Sequence, residues 1–373
     1  MADSYWLAEP APALRSRRLD GEPEVEIVGG GVTGCACALA LARAGMRVRL
    51  HEARAIAGGA SGRNGGFALR GGAMPYDVAR ATLGSERARA LWALTERGLD
   101  AIRALAGDAY RQTGSLRLAS DAVERDELAA EFRALEQDGF AVEWRDELPP
   151  QLSGYVGGMR HLSDGALHPA RWVRRLAEHA VDAGAELRER SRIESLTDLT
   201  APTVVIATDG YTNGLVPELD AAIRPIRNQV VVTEPLAELL FPLPHYARRG
   251  YDYWQQTPDR RLVVGGRRDA DRTENTAEET LTPAIQARLE SFVVELVGQL
   301  PEIAHRWAGI FGSSPDDRPL AGAVPGRDGL WVAAGYSGHG NVLGFVCGTL
   351  VAEAIRDAVP AELELFDPAR ILG

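Results

Sequence analysis

The sequence contains no lysine: all 41 of its Lys or Arg positions, among 373 residues, are arginine. This absence excludes several kinds of chemistry, because a Schiff base with pyridoxal phosphate or with a carbonyl substrate needs a lysine amine. The phosphate-binding loop of P-loop nucleotide hydrolases needs a lysine as well. Whatever reaction the protein carries out must therefore proceed without a lysine ammonium.

Cysteine is also scarce, with Cys35, Cys37 and Cys347 as the whole supply. An odd number of cysteines without metal-ligand spacing predicts no disulfide framework and no metal site, and it fits a reducing compartment. Cys35 and Cys37 lie two positions apart on a predicted helix, so their side chains point to different faces and cannot chelate together. We interpret this pair as small buried apolar side chains.

Strong positive charge and targeting signals are lacking too. The formal net charge of −11 argues against nucleic acid and an anionic membrane as partners. The N-terminus has no basic segment followed by an apolar core, so we expect no signal peptide, no membrane span and a cytoplasmic location. The composition is that of an ordinary globular protein, and 373 residues exceed the size at which one core keeps growing, which predicts two domains.

A first glycine-rich motif lies between two predicted strands. A strand over Val25–Val28 precedes glycines in G-x-G-x-x-G spacing, an Ala-rich helix runs to about Arg43, and a second strand over Arg47–His51 ends just before Glu52. This context is typical of a dinucleotide-binding turn, in which backbone N–H groups approach a pyrophosphate and an acid accepts hydrogen bonds from a ribose. It leaves NAD(P) and FAD open. The predicted cofactor contacts here are Gly29, Gly31, Val32, Thr33, Gly34, Glu52, Ala53 and Arg54.

A second glycine-rich segment follows the acidic residue almost at once, and it favours FAD over NAD(P). An NAD(P) site does not ordinarily carry such a segment, whereas exposed backbone donors and an arginine suit a second contact to a longer cofactor. The predicted cofactor contacts in it are Ala60, Ser61, Arg63, Asn64, Gly65, Gly66 and Phe67.

A third motif joins a predicted strand over residues 330–335 to a helix from Asn341 to about Asp357. A helix N-terminus carries partial positive charge and unpaired N–H donors, which would stabilise the negative charge of a reduced flavin. Gly340, Gly344 and Gly348 leave a strip without side chains where this helix could pack closely. The predicted cofactor contacts here are Gly335, Ser337, Gly338, His339, Gly340, Asn341 and Val342.

These motifs resemble one known family. The run from Ala60 to Gly66 is similar to the signature of FAD-dependent amine oxidoreductases related to D-amino-acid oxidase and sarcosine oxidase. The nearest branch is that of gamma-glutamylputrescine oxidase, which residues 4–6, 225–235 and 334–340 resemble as well. The resemblance covers residues 4 to about 356 in family order. It adds Ile193, Ala207, Thr208 and Gly210 to the expected cofactor contacts.

The resemblance implies an α/β fold: a Rossmann-type FAD-binding domain interleaved with an α+β substrate domain on a mostly antiparallel sheet. We expect the first domain over residues 1–74, 151–216 and 318–373 and the second over 75–150 and 217–317. We also predict helices over 76–106, 121–138 and 282–299, another beginning at Pro169 and ending before Gly184, and strands over 114–118, 157–162, 186–190, 203–206, 230–233, 251–256 and 262–264.

The implied reaction is the oxidation of a primary or secondary amine, such as a gamma-glutamylated diamine. Hydride transfer to FAD N5 would give an imine, and the electrons would pass to O₂, giving H₂O₂, or to another acceptor. Positioning dominates such chemistry, so no strong protein base is required. The candidate catalytic residues are His339, Tyr253, Arg70 and Arg267, the two arginines as partners for a carboxylate, while Tyr251 and Trp254 are candidate pocket walls.

Three departures from sarcosine-type enzymes bear on function. Val342 or Leu343 stands where those enzymes have a lysine for the substrate carboxylate, which weakens the alternative of a glycine- or sarcosine-like amino-acid oxidase. Val263 falls near the place of the oxygen-activating lysine, which leaves a catalytically silent FAD-binding scaffold as a second alternative. Gly309 occupies the place of a flavin-linking cysteine, so we expect noncovalent FAD.

Overall fold

The computed structural model describes residues 4–212, 214–357 and 359–373. Its strands are β1 (Val25–Val28), β2 (Val48–His51), β3 (Phe67–Ala68), β4 (Tyr110–Arg111), β5 (Ser115–Leu118), β6 (Val142–Arg145), β7 (Gly158–His161), β8 (Gly165–Leu167), β9 (Glu186–Arg188), β10 (Thr203–Ile206), β11 (Arg224–Thr233), β12 (His245–Ala247), β13 (Asp252–Gln256), β14 (Leu262–Gly266), β15 (Ile303–Ser313), β16 (Leu320–Ala323) and β17 (Leu330–Ala334). Its helices are α1 (Tyr5–Ala8), α2 (Val32–Arg43), α3 (Tyr76–Leu83), α4 (Ser85–Ala106), α5 (Ala122–Gln137), α6 (Pro169–Asp182), α7 (Pro217–Ala222), α8 (Pro283–Val297), α9 (Gly340–Arg356) and α10 (Ala369–Leu372).

A six-stranded sheet carries the first and third glycine-rich motifs. Its order is β16-β17-β10-β1-β2-β9, and its pairs are parallel except for β16 with β17. Every residue of β1 is buried, as expected for a parallel strand covered on both faces. Helices α2 and α9 pack against each other beside this sheet, which confirms the predicted Rossmann-type unit.

An eight-stranded sheet forms the second unit, in the order β15-β11-β14-β13-β12-β5-β7-β6. Its pairs are antiparallel except for β12 with β5. One face packs on α8, where Trp254 meets Phe292 with ring centroids 5.4 Å apart. Because side chains alternate along a strand, the neighbours of Trp254 point to the opposite face, which borders the cavity described below. This sheet confirms the mixed α/β fold.

A small three-stranded sheet has the order β3-β8-β4. Along the chain, β3 and β4 connect β2 of the six-stranded sheet to β5 of the eight-stranded sheet, and β8 connects β7 back to β9. Strand β7 pairs within the eight-stranded sheet, although the predicted boundaries place residues 151–216 in the FAD-binding domain. The domain boundaries themselves stay a prediction. Within the described ranges, no helix is long and apolar enough to cross a membrane.

The helix predicted over residues 76–106 is two helices in the structure. Gly84 separates α3 from α4 with a φ of 86°, a conformation that residues with a side chain rarely adopt. Strand β15 is absent from the sequence prediction, because its His, Arg and Gly residues hide the alternation that identifies a strand.

Candidate active site

The first glycine-rich turn is held by close backbone contacts. Gly29 has a φ of 115°, and a Cβ there would lie 2.5 Å from the Ala207 carbonyl oxygen at the end of β10. A Cβ on Gly34 would lie 1.9 Å from the Gly29 oxygen. Helix α2 then begins after Gly31, which has no side chain to cap it, and the N-terminal amides of the helix carry partial positive charge at the cavity.

Glu52 binds its own turn in this structure. Its two carboxylate oxygens accept hydrogen bonds from the backbone N–H groups of Gly30 and Arg54, each at 2.7 Å. Burial raises the pKa of Glu52, and those two donors act in the opposite direction. The carboxylate therefore fixes the shape of the turn, and each oxygen keeps a lone pair for the predicted ribose contact.

The second glycine-rich loop is fastened by its carbonyl groups. Four side chains, from three distant parts of the chain, donate to four consecutive carbonyls of this loop. The pairs are Ser4 Oγ to Gly62 at 2.6 Å, Trp307 Nε1 to Arg63 at 2.8 Å, Trp6 Nε1 to Asn64 at 2.8 Å and Gln255 Nε2 to Gly65 at 2.5 Å. The N-terminal residues are thus part of the site.

Two hydroxyl contacts join the glycine-rich motifs to one another. Ser61 Oγ of the second loop accepts the Val32 N–H at 3.0 Å, at the N-terminus of α2. Thr33 Oγ1 and the Tyr336 hydroxyl lie 2.9 Å apart, which ties α2 to the turn before α9. The three bends therefore form one connected wall.

Asp209 fixes the third bend, and sequence reasoning missed it. Its carboxylate oxygens accept the N–H groups of Gly312 and Gly335, both at 2.8 Å. Burial raises the pKa of Asp209, and the backbone donors act against that rise. The only sequence signal was its place in the Ala207–Gly210 segment. Trp307 and Gln255 were missed as well, because their contacts with the loop are entirely tertiary.

Helix α9 opens on the cavity with free donors. Its N-cap residue, His339, makes no side-chain cap hydrogen bond, and in the part of the chain that the structure describes the first amides of the helix have no intrahelical acceptor. Burial lowers the pKa of His339 to about 4, so its imidazole is neutral near neutral pH. Its Nδ1 is buried without a partner among the described residues. This geometry provides donors and partial positive charge, whereas a neutral imidazole with so low a pKa is a weak base.

A cavity of about 400 Å³ brings most of the predicted residues together, a size within the usual range for small-molecule sites. The predicted residues that line it are Gly31, Val32, Thr33, Ala60, Ser61, Arg63, Asn64, Gly65, Phe67, Arg70, Ala207, Tyr253, Ser337, Gly338, His339, Gly340, Asn341 and Val342.

Other predicted residues do not line this cavity. They are Gly29, Gly34, Glu52, Ala53, Arg54, Gly66, Ile193, Thr208, Gly210, Gly335 and Arg267. Several of them fix the shape of the cavity wall without lining the cavity, as Gly29, Gly34 and Glu52 do in the first glycine-rich turn. The Ile193 side chain packs instead against the apolar cluster around Ile206.

The predicted role of Arg267 as a carboxylate partner needs correction. Its guanidinium lies 3.0 Å from Asp252 and 2.7 Å from Glu295, and it stacks on the Phe292 ring at 4.3 Å. Its neighbour Arg268 lines the cavity instead, with its guanidinium 4.8 Å from the Tyr251 ring and 5.4 Å from the Phe311 ring. Arg70 lines the cavity, but its guanidinium is paired with Glu96 at 2.6 Å.

Aromatic residues form the wall opposite the glycine-rich bends. Tyr253 lies across from Gly65, where a Cβ would come within 2.8 Å of its ring, and its ring centroid is 5.8 Å from that of Phe67. Tyr251 lines the cavity as predicted. Trp254, a predicted pocket wall, is fully buried on the other face of the sheet, so that prediction is wrong.

Comparison with known proteins identifies the family. Residues 24–354 match the family model described as DAO, FAD dependent oxidoreductase. The chain belongs to this family of FAD-dependent oxidoreductases. It is 31% identical to the probable oxidoreductase OrdL of Rhizobium meliloti, over 93% of this chain and 86% of that protein. It is 29% identical to the gamma-glutamylputrescine oxidoreductase of Escherichia coli, over 92% and 85%.

The crystal structure of glycine oxidase from Geobacillus kaustophilus shares the fold, with a TM-score of 0.76 and 24% identity over 92% of this chain and 98% of that one. FAD is the cofactor of this FAD-dependent oxidoreductase, and the residues present fit it. The backbone around Gly29 and Gly34 has no room for a side chain, the N-cap residues of α2 and α9 make no side-chain cap hydrogen bond, and residues of both helix N-termini line the cavity. The α2 turn would hold the pyrophosphate, and the second loop and α9 would hold the flavin.

Proposed function

We propose that this protein oxidises a primary or secondary amine, and that the amine is a polyamine derivative of the gamma-glutamylputrescine kind. The observation that carries the proposal is the pairing of two walls around one cavity. One wall consists of the three glycine-rich bends, and the other is the face of the eight-stranded sheet with Tyr251 and Tyr253. A relative that covers nearly the whole chain, the Escherichia coli gamma-glutamylputrescine oxidoreductase, supports the choice of amine.

The chain contributes position and electrostatics. Bound FAD supplies a hydride acceptor for the C–H bond next to the amine nitrogen, so that the amine becomes an imine that water hydrolyses. Tyr251 and Tyr253 provide flat apolar surfaces that orient an uncharged amine and exclude water. The first amides of α9 stabilise negative charge that develops on the cofactor side of the cavity. His339, neutral near neutral pH, is compatible with an uncharged amine beside it.

The electron acceptor is proposed to be O₂, with H₂O₂ as product, or another oxidant. Val263, near the place of the oxygen-activating lysine in sarcosine-type enzymes, is uncharged and fully buried in the apolar cluster with Trp6 and Trp307. Reaction with O₂ would therefore depend on arginines and on the helix N-termini rather than on an ammonium.

A substrate screen tests the proposal. The FAD-loaded protein is mixed under nitrogen with gamma-glutamylputrescine, putrescine, glycine and sarcosine, and the yellow flavin absorbance is followed. We expect bleaching with gamma-glutamylputrescine and much slower bleaching with glycine and sarcosine. Repetition in air with peroxide detection identifies the acceptor. A flavin that dithionite reduces but that none of these amines bleaches would favour the silent scaffold, and preferential bleaching by glycine would favour an amino-acid oxidase.

A further inference from the structure

The cavity continues along the eight-stranded sheet, away from the glycine-rich bends. Tyr253 on β13 pairs with Tyr246 on β12, and Tyr246 pairs with Arg117 on β5. All three side chains line the cavity, so they form one row across its floor. Neighbouring strands lie about 4.8 Å apart, which puts the backbone of Arg117 about 10 Å from that of Tyr253. The proposed oxidation step uses none of the groups at the Arg117 end.

His161 presents a buried donor at this far end. It is 4% exposed and lines the cavity. Its Nδ1 lies 3.4 Å from Arg70 Nη2, and because an arginine can only donate, Nδ1 accepts and the proton resides on Nε2. That Nε2 has no hydrogen-bond partner among the described residues. Burial, with Arg70 and Arg117 nearby, holds the pKa of His161 well below its ordinary value, so the ring is a neutral donor.

Arg117 presents further donors beside it. Its Nη1 donates to Glu131 Oε2 at 2.5 Å, and the other Glu131 oxygen accepts the Tyr76 N–H at 3.0 Å. Within the described part of the chain, its remaining N–H groups have no acceptor. Glu131 therefore orients the Arg117 guanidinium and leaves its remaining N–H groups available to a ligand in the cavity. The buried Nε2–H of His161, which has no acceptor among the described residues, costs stability unless a ligand or water supplies one, and Arg117 lines the same cavity.

We propose that Arg117 and His161 form a distal subsite that binds the carboxylate at the far end of an extended amine substrate. The inference rests on the proposed function, because it places the amine end of the same molecule at Tyr253. Arg70 is a positioning residue, since its guanidinium is committed to Glu96 and to His161. The spacing of about 10 Å, two strand intervals, selects long amines that carry a carboxylate over short amino acids.

Two probes of equal chain length test the subsite: ω-aminooctanoate and octylamine, which differ in the terminal carboxylate. ω-Aminobutyrate, too short to span the row, is the third probe. Dissociation constants are measured from the perturbation of the flavin absorbance of the FAD-loaded protein under nitrogen. Steady-state turnover with O₂ or an artificial dye as electron acceptor then gives kcat and KM separately. We expect ω-aminooctanoate to bind ~10-fold to ~100-fold more tightly than either other probe, as expected for hydrogen bonds to a charged group.

The variants must leave no buried charge unpaired. Arg117→Met alone would strand the Glu131 carboxylate, so Arg117→Met is combined with Glu131→Gln. His161→Phe is the second variant. The matched control combines Arg160→Met with Glu143→Gln, because Arg160 lies next to His161 on β7, pairs with Glu143 at 3.8 Å and does not line the cavity. FAD content and circular dichroism verify folding.

We expect the preference for ω-aminooctanoate to fall about tenfold or more in both subsite variants, mainly through KM, and to persist in the control. Equal binding of ω-aminooctanoate and octylamine by the unaltered protein would overturn the subsite. An equal loss in the control would overturn it as well. A different result would contradict the proposed function: none of the amines would reduce the flavin, whether or not ω-aminooctanoate binds more tightly than the other probes.

Discussion

The side chains of Asn64 and Asn341 exchange two hydrogen bonds of 3.1 Å across 277 residues of sequence. Asn341 Nδ2 also donates to the Phe67 carbonyl at 2.7 Å, and Asn64 Oδ1 accepts the Gly66 N–H at 2.8 Å. The pair therefore fixes the second glycine-rich loop against the first turn of α9. Any cofactor held by both elements depends on this contact.

Asn341→Ala should weaken FAD binding. It removes both hydrogen bonds to Asn64 and leaves the Phe67 carbonyl without its donor, so the loop loses its attachment to α9. The expected increase in the FAD dissociation constant is ~10-fold to ~100-fold, as measured by fluorescence titration of the apoprotein. Thr349→Ala, whose hydroxyl bonds Phe345 within the same helix, is the control. Equal weakening by both substitutions would contradict the role given to the pair.

Gly348→Ala should destabilise the protein far more than Gly340→Ala. A Cβ at position 348 would lie 2.3 Å from the Thr33 carbonyl oxygen on α2, so the two helices would have to separate. At position 340 the nearest atom is 3.4 Å away, on Tyr336. We expect a loss of about 2 to 3 kcal/mol in the free energy of unfolding at position 348 and under about 1 kcal/mol at position 340. Chemical denaturation measures both, and similar losses would contradict the packing argument.

Arg267→Gln should lower the stability of the protein, whereas Arg268→Gln should weaken substrate binding. The first leaves the buried Asp252 with Arg248 as its remaining ion-pair partner, and we expect a loss of about 2 kcal/mol of stability. The second removes the cation between Tyr251 and Phe311 in the cavity wall, and we expect KM for the amine to rise about threefold to tenfold with little change in stability. The reverse pattern would restore Arg267 as the residue at the cavity.

His245→Phe should make the protein less sensitive to acid. His245 is buried against Trp254, with ring centroids 5.1 Å apart, and burial lowers its pKa to about 4. The unfolded chain binds a proton near pH 6.5, so the stability due to this residue is present above about pH 6.5 and is lost as the pH falls toward 4.

The free energy of unfolding of the unaltered protein should therefore fall relative to the variant by about 2 kcal/mol between about pH 7 and about pH 5. Urea titrations at the two pH values measure this difference. A constant difference between the two proteins would show that His245 is not the group that titrates.

The flavin should leave the protein on acid precipitation. Gly309, which the resemblance to sarcosine-type enzymes places where they have a flavin-linking cysteine, lines the cavity, and the three cysteines are buried and do not line it. Burial also raises the pKa of each of these thiols, which keeps them protonated and unreactive. We expect yellow colour in the supernatant. A washed pellet that stays yellow would show a covalent bond.

The sequence predicts the parts of the site that depend on local spacing. The three glycine-rich bends and their helices could be identified because each needs only a strand, a turn and a helix in succession. The residues that fasten them, Asp209, Trp307 and Gln255, could not, since each contacts a segment distant in sequence. Such contacts depend on how the two sheets are placed, which no local pattern determines.

The correction from Arg267 to Arg268 has a similar cause. Gly265 lies against the Tyr253 ring on the cavity side of the sheet, and continued strand alternation would turn residue 267 to that side as well. Gly266 and Arg267 both adopt positive φ, of 112° and 58°, which ends the strand and breaks the alternation. The next side chain therefore takes the place at the cavity. A break of this kind is visible only in the backbone.

The contacts of the second glycine-rich loop have a consequence for biosynthesis. Its carbonyls are held by Ser4 and Trp6 and also by Trp307, which is synthesised much later than the other two. The N-terminus of α9 closes the same space. A growing chain that lacks Trp307 and α9 cannot enclose a flavin, so FAD binds only after both have been synthesised, and a shortage of riboflavin should leave a pool of apoprotein.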